Sequence, residues 1–304
     1  MTNRLIARLL SFAAALAALH GLSACHRPDV GEDPVTEPEP VALTLSFQLS
    51  SEFTDIEATR NDADAAPLSL RACIYKETEP KPSATPVATL SAQVAGLQST
   101  ASASLVPGTY TVLAWAGRDA FWDASDFDRI AYSPGQHFDE SALAFQCRSS
   151  FSVTEESTGA AFTLTPPMAR LSIVAADCDA VDLRDFRCHL SYTQFFPSAF
   201  SLFSNEPVDS ETGVARYGVA TDAPESGERE IGADYILVNG HETTLPLRIE
   251  ILDAAGETVK SYAVSAPLLR GRQTTIRGNF FTGVSSSGAS LDPSFDGDDF
   301  NIDF

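Results

Sequence analysis

Basic residues are scarce in this chain of 304 residues: 20 lysines and arginines stand against 41 aspartates and glutamates, a formal net charge of −21. Such a surface repels phosphate backbones and anionic headgroups, which excludes nucleic acid as a partner and membrane binding by charge. Histidine is scarce too. Beyond residue 24 only His26, His137, His189 and His241 remain, in no spacing that metal ligation or nucleophilic catalysis requires. No phosphate-cradling glycine motif and no Cys-x-x-Cys pair occurs. Cys178, Cys188 and His189 lack a fourth zinc ligand, and Asp296-Gly297-Asp298-Asp299 lacks the spacing of a calcium loop. The expectation is a protein that is not an enzyme and holds no metal or cofactor.

Also missing is any run of ~20 apolar residues, the length a membrane helix needs. The longest apolar stretch, 9–19, follows Arg4 and Arg8, is broken by His20 and Gly21, and ends at Leu22-Ser23-Ala24-Cys25. That order reads as a secretory signal over 1–24 with small residues at the cut site. Leu-Ser-Ala-Cys resembles the lipobox, so Cys25 is expected to carry acyl chains and become the mature N-terminus. At ~0.8 kcal/mol per buried CH2, several chains anchor permanently where one short chain does not. Cleavage would leave 304 − 24 = 280 residues and, with both signal arginines lost, a charge of 18 − 41 = −23. Residues 25–40 continue as an acidic, proline-rich tether, too polar to order itself, spanning some 40 Å at ~3 Å per residue.

From Val41 strict alternation begins. Val41, Leu43, Leu45, Phe47 and Leu49 share one face and Ala42, Thr44, Ser46 and Gln48 the other, the period of a half-buried strand. Short apolar runs at 68–75, 87–94 and 105–115 follow, the last with a turn at Pro107-Gly108. Residues 119–132, aromatic and acidic, read as a loop or short helix capping one end of a sandwich. A second set runs through 162–164, 169–175, 189–196 and 214–219. There 235–238 is expected to form a hairpin through Asn239-Gly240 with a return strand carrying Leu245, Leu247, Ile249 and Ile251. Strands at 259–264 and 273–282 complete it. The pattern predicts an all-β chain of two tandem β-sandwiches, 41–157 and 158–283. A tail, 284–304, closes on alternating Phe300, Ile302 and Phe304, a candidate donor strand.

Cys73, Cys147, Cys178 and Cys188 remain after Cys25, and export exposes them to an oxidising compartment. Of three connectivities, Cys73 with Cys147 and Cys178 with Cys188 keeps each bridge inside one domain, contributing roughly 4.5 and 3 kcal/mol.

Several segments together carry a family resemblance. Leu105-Val106-Pro107-Gly108-Thr109-Tyr110 with Trp115, Leu164-Thr165-Pro166-Pro167-Met168-Ala169-Arg170-Leu171, Ala233-Asp234-Tyr235, and Thr274-Thr275-Ile276-Arg277-Gly278-Asn279-Phe280-Phe281-Thr282 resemble those of the fimbrillin-type lipoproteins of the Bacteroidales, subunits of type V pili. The resemblance implies transthyretin-like sandwiches, a lipid anchor on the outer membrane, and display at the cell surface or in a fimbrium. It further implies that a trypsin-like protease cuts after an arginine beyond the first strand, that this strand leaves, and that the carboxyl-terminal strand of another subunit fills its place. Here Val41–Leu49 would leave, Arg60 would be the cut site, and Phe300, Ile302 and Phe304 would be the entering side chains. The implied partners are other fimbrial subunits or further copies of the chain, the membrane through acyl chains, and a host protein or glycan. The competing function is a surface lipoprotein of a polysaccharide-capture system, with Trp115, Phe121, Trp122 and Tyr132 as an aromatic platform.

Overall fold

A computed structural model describes residues 38–51, 67–132, 142–180, 182–218, 227–282, 294–296 and 299–303. The first strands are β1 (Val41–Leu49), β2 (Ser69–Tyr75), β3 (Ala88–Gln93), β4 (Gln98–Leu105), β5 (Gly108–Gly117), β6 (Trp122–Asp123), β7 (Ile130–Tyr132), β8 (Phe145–Val153) and β9 (Gly159–Leu164). They build a three-stranded sheet β4-β1-β9 and a four-stranded sheet β3-β2-β5-β8. Alternation decides how each strand sits. β1 buries every second residue, whereas β5, apolar almost throughout, is buried on both faces from Tyr110 to Gly117.

The later strands are β10 (Met168–Ala175), β11 (Arg187–Tyr192), β12 (Phe196–Ser201), β13 (Glu206–Glu211), β14 (Val214–Gly218), β15 (Arg229–Leu237), β16 (Glu242–Leu252), β17 (Thr258–Leu269), β18 (Gln273–Gly278), β19 (Ser294–Asp296) and β20 (Asp299–Asp303). Two sheets, β15-β10-β18-β20-β19 and β14-β11-β16-β17, belong to this half. A third, β13-β12-β7-β6, takes strands from both halves. Among the described residues no α-helix occurs, only short 3-10 turns, and the fold is all-β.

Burial separates two hydrophobic cores. The first runs through β1 to β9 and on to Met168, and receives Phe200, Leu202, Tyr235 and Leu237 from the later half. The second gathers the inward rows of β10, β11, β16, β17 and β18. Residues 119–132 hold no helix but the short pair β6 and β7, whose partner is β12.

One local expectation is corrected. Asn239-Gly240 does turn the chain, with Gly240 at φ 67°, but the flanking strands do not pair with each other. β15 pairs with β10 while β16 pairs with β11 and β17, so the turn carries the chain from one sheet to the next. The Gly240 N–H is donated to Glu206 instead of to a facing strand. The true hairpin is β16–β17, closed at Asp253, whose side chain accepts from the Ala255 and Glu257 N–H groups.

Candidate functional site

β1 lies between two neighbours. It runs antiparallel to β4, from Val41 opposite Leu105 to Gln48 opposite Gln98, and parallel to β9, from Thr44 beside Gly159 to Leu49 beside Leu164. Further backbone bonds extend both ladders, Leu49 N–H to Leu97 O and Ser50 N–H to Leu164 O. Its inward row, Leu43, Leu45, Phe47 and Leu49, is fully buried. At roughly 1.5–3 kcal/mol per buried side chain, these four hold about 6–12 kcal/mol, comparable to the net stability of a domain. Phe47 anchors the row. Its ring meets Phe162 at 5.4 Å, Phe162 meets Phe151 at 5.3 Å, and Phe151 meets Tyr110 at 5.8 Å, a line of rings joining β1, β9, β8 and β5. Gly159 is required where β1 and β9 approach, since a Cβ there would collide with the Thr44 carbonyl oxygen.

Beyond Ser51 the chain enters 52–66, which contains Arg60, and returns at Pro67 beside β2. Arg60, Cys25 and Phe304 lie outside the described residues. Taking β1 away would leave β4 and β9 with unpaired facing edges over a floor of apolar side chains. Such a slot accepts another strand.

The tail extends a sheet beyond β18, with β19 outermost. β20 runs parallel to β18, placing Phe300 beside Thr274 and Ile302 beside Ile276, and β19 folds back antiparallel along it. Phe300 and Ile302 thus stand in the second half's own sheet, apart from β1. Among the described residues the β20–β18 register spans Thr274 to Arg277, a shorter seat than that of β1. The chain is fastened just before the tail: Asp177 Oδ2 accepts from the Phe281 N–H at 2.9 Å, the Thr282 N–H at 2.6 Å and the Thr282 hydroxyl at 2.8 Å.

Polar groups stiffen the sheet that carries this tail. Arg170, buried on β10, reaches Gln273 on β18 at 2.9 Å and Glu230 on β15 at 2.9 Å, and Ser172 donates to Glu230 at 2.5 Å. Deeper, Asp234 accepts from the Tyr192 hydroxyl at 2.8 Å and the Tyr235 N–H at 2.8 Å, with Arg216 at 3.8 Å. Burial pushes the Asp234 carboxyl up to about 7, against the pull of Arg216 and of both hydrogen bonds.

The cysteines do not pair as expected. All four are free thiols. Cys73 stands opposite Leu113 and Cys147 opposite Ala114, so the two are separated by β5 and one residue out of step. That puts them roughly 10 Å apart on opposite faces, beyond the reach of a disulfide. Cys178 and Cys188 are buried in the second core, the Cys178 thiol donating to the Ala175 carbonyl.

The aromatic platform is corrected as well. Trp115, Phe121 and Trp122 are buried, with Trp122 Nε1 donating to the Ala142 carbonyl at 2.9 Å, and Trp115 and Trp122 packing edge to face. Tyr132 is half-buried and donates to Glu211. Trp115, Phe121 and Trp122 thus build the first core and offer no face to a sugar, and Tyr132 packs against that core. Among the described residues, no cluster of three or more His, Cys, Asp or Glu is placed to hold a metal ion.

The fold and its two ends define a class: an all-β protein with two cores, one strand seated by its apolar row near the N-terminus and another laid on a sheet edge at the C-terminus. The profile of a family of unknown function (DUF6562) matches residues 35–303, and the chain belongs to that family. No curated protein matches the sequence. Similar solved structures include a candidate adhesin from Bacteroides thetaiotaomicron, at 13% identity and TM-score 0.47 over 74% of this chain and 80% of that one. The tip fimbrial protein of Porphyromonas gingivalis, truncated at its C-terminus, gives 12% and 0.44 over 74% and 81%. A fimbrial assembly protein from Parabacteroides distasonis gives 9% and 0.45 over 78% and 90%.

Proposed function

We propose that this chain is a non-enzymatic cell-surface lipoprotein, anchored through Cys25, that serves as a structural or accessory subunit of a type V pilus-like fimbrium and supports adhesion. One observation carries the reading: β1 is held on both sides yet is followed at once by the segment bearing Arg60, so a single cut leaves β1, still joined to the N-terminal tether, bound to the rest of the chain by its sheet alone. The slot it fills matches the period of Phe300, Ile302 and Phe304. Three such side chains buried in trans contribute ~2 kcal/mol each, and ladder hydrogen bonds add to that. The short register of β20 on β18 makes the tail easier for its own chain to give up than β1. The sequence resemblance to fimbrillin-type lipoproteins points the same way.

The test uses the exported, full-length chain treated with trypsin. Ladders of strand-linked oligomers are expected after cleavage, absent in Arg60→Ala and absent when residues 300–304 are deleted. Ladders unchanged by the deletion would remove the donor role.

A further inference from the structure

A groove of about 390 Å3 opens where the β12–β13 hairpin lies against the corner between β15 and β16, a volume in the range of small-ligand sites. Two of the five large apolar side chains exposed among the described residues stand on it: Phe195, 69% exposed, and Val208, 44% exposed. The polar lining is made of Gln194, Asp209, Asn239 and Thr243 with neighbouring hydroxyls, and contains neither lysine nor arginine. We infer that this groove is a binding site for a neutral saccharide.

The lining decides among ligand classes. An anion would meet Asp209 and a strongly negative chain, with no cation in the lining to receive it. A purely apolar ligand would strip water from the Gln194, Asn239 and Thr243 side chains and return no hydrogen bond, at roughly 1–3 kcal/mol for each group left unsatisfied. An added strand is disfavoured because Pro197 and Pro207 offer no N–H for a ladder. A sugar ring meets both demands. Its axial C–H face lies on an exposed aromatic ring, and its hydroxyls, donors and acceptors at once, match amide, hydroxyl and carboxylate.

The walls are also set before any ligand arrives. Arg270 donates to the Val238 carbonyl at 3.0 Å, the Asn205 carbonyl at 2.9 Å and Glu206 at 2.9 Å, while Glu206 accepts the Gly240 N–H at 2.6 Å. Burial lowers the Arg270 pKa from its ordinary value, and Glu206 works against that shift, so a charged clamp ties the turn before β13 to the corner before β16. The guanidinium lies over the Phe200 ring at 5.4 Å. On the facing side Arg129 holds Asp209 at 2.6 Å. A site already held open pays little ordering cost on binding.

Calorimetric titration of the purified full-length chain tests this, using hexasaccharides of glucose, mannose and galactose as neutral probes and sialyllactose and a heparin hexasaccharide as anionic ones. Saturable binding of at least one neutral probe is expected, with no binding of the anionic pair. Phe195→Ala should weaken it about tenfold, and Thr243→Val by a smaller factor, with unchanged melting curves. The chain lacking residues 300–304 should bind equally well, which separates this result from the fate of the strand-addition reading. The inference is overturned if no neutral probe saturates, if both variants bind like wild type, if an anionic probe binds more tightly, or if Phe195→Ala changes the oligomeric state of the sugar-free protein.

Discussion

Phe47→Ala is expected to loosen β1 selectively. Phe47 is 1% exposed and its ring opens the line through Phe162, Phe151 and Tyr110, so truncation removes a buried ring and leaves a void beside Phe162. Buried Phe→Ala changes cost about 3–5 kcal/mol. Once the 52–66 segment is cut, that loss falls on the one step in which β1 parts from β4 and β9. Four kcal/mol corresponds to roughly a thousandfold in the equilibrium between seated and released strand. The assay follows release of the cleaved N-terminal fragment by size exclusion and mass spectrometry, together with uptake of a labelled peptide matching residues 299–304. Gly159→Ala should act in the same direction, because the new methyl drives β9 away from the Thr44 carbonyl. Leu268→Ala, in the second core, should leave the release unchanged. If Phe47→Ala changes release by less than about tenfold, or if Leu268→Ala changes it as much, the seating of β1 does not rest on its apolar row.

Two further outcomes follow from the buried titratable groups. The Asp234 carboxyl is held near 7 in the folded chain against an ordinary 3.8, so between these values the folded state binds a proton that the unfolded state has lost. Its contribution is therefore fully present at low pH and falls as pH rises toward 7, by a few kcal/mol, and Asp234→Asn should abolish that slope in denaturant unfolding measured from pH 4 to pH 8. A difference between wild type and variant that is flat, or that grows in favour of wild type as pH rises, would refute it. Burial pushes the thiols of Cys147 and Cys188 up to about 11 and about 12 and raises Cys178 as well, whereas Cys73 is half-buried beside Thr89. Iodoacetamide should alkylate Cys73 in the native protein and the other three only on unfolding, which peptide mapping would read directly; equal rates at all four would contradict the packing.

What could be read beforehand was set by periodicity. β1 shows the same bounds in the sequence as in the fold because its alternation is strict and one face of its sheet is buried. β4, Gln98–Leu105, escaped because its inward row ahead of Leu105 is only Ser99, Ala101 and Ala103, small side chains that bury well without marking an apolar run. β8 escaped for a similar reason, its polar Gln146, Arg148, Ser149, Ser150 and Ser152 masking the apolar Phe145, Cys147, Phe151 and Val153. β11 and β12 read as one run since the two-sheet crossing at 193–195 has no glycine or proline before Phe196. The Asn-Gly signal gave the turn and not the pairing, which is decided by neighbours distant in the chain. The disulfide reading failed for the same reason: domain membership can be guessed from spacing, whereas the face of the sheet cannot. The groove at Phe195 is assembled from four separate segments, and no local pattern announces it.

The clasp at Asp177 has a mechanical consequence. Because one carboxylate oxygen gathers the Phe281 and Thr282 groups, a pull that has peeled β20 from β18 is met there before it travels along the chain into β18. With β20 peeled from its sheet, the 304 − 282 = 22 residues beyond the clasp would reach about 70 Å when drawn out. If the tail is donated in trans as proposed, such a tether would let neighbouring subunits bend against each other while tension passed to the clasp.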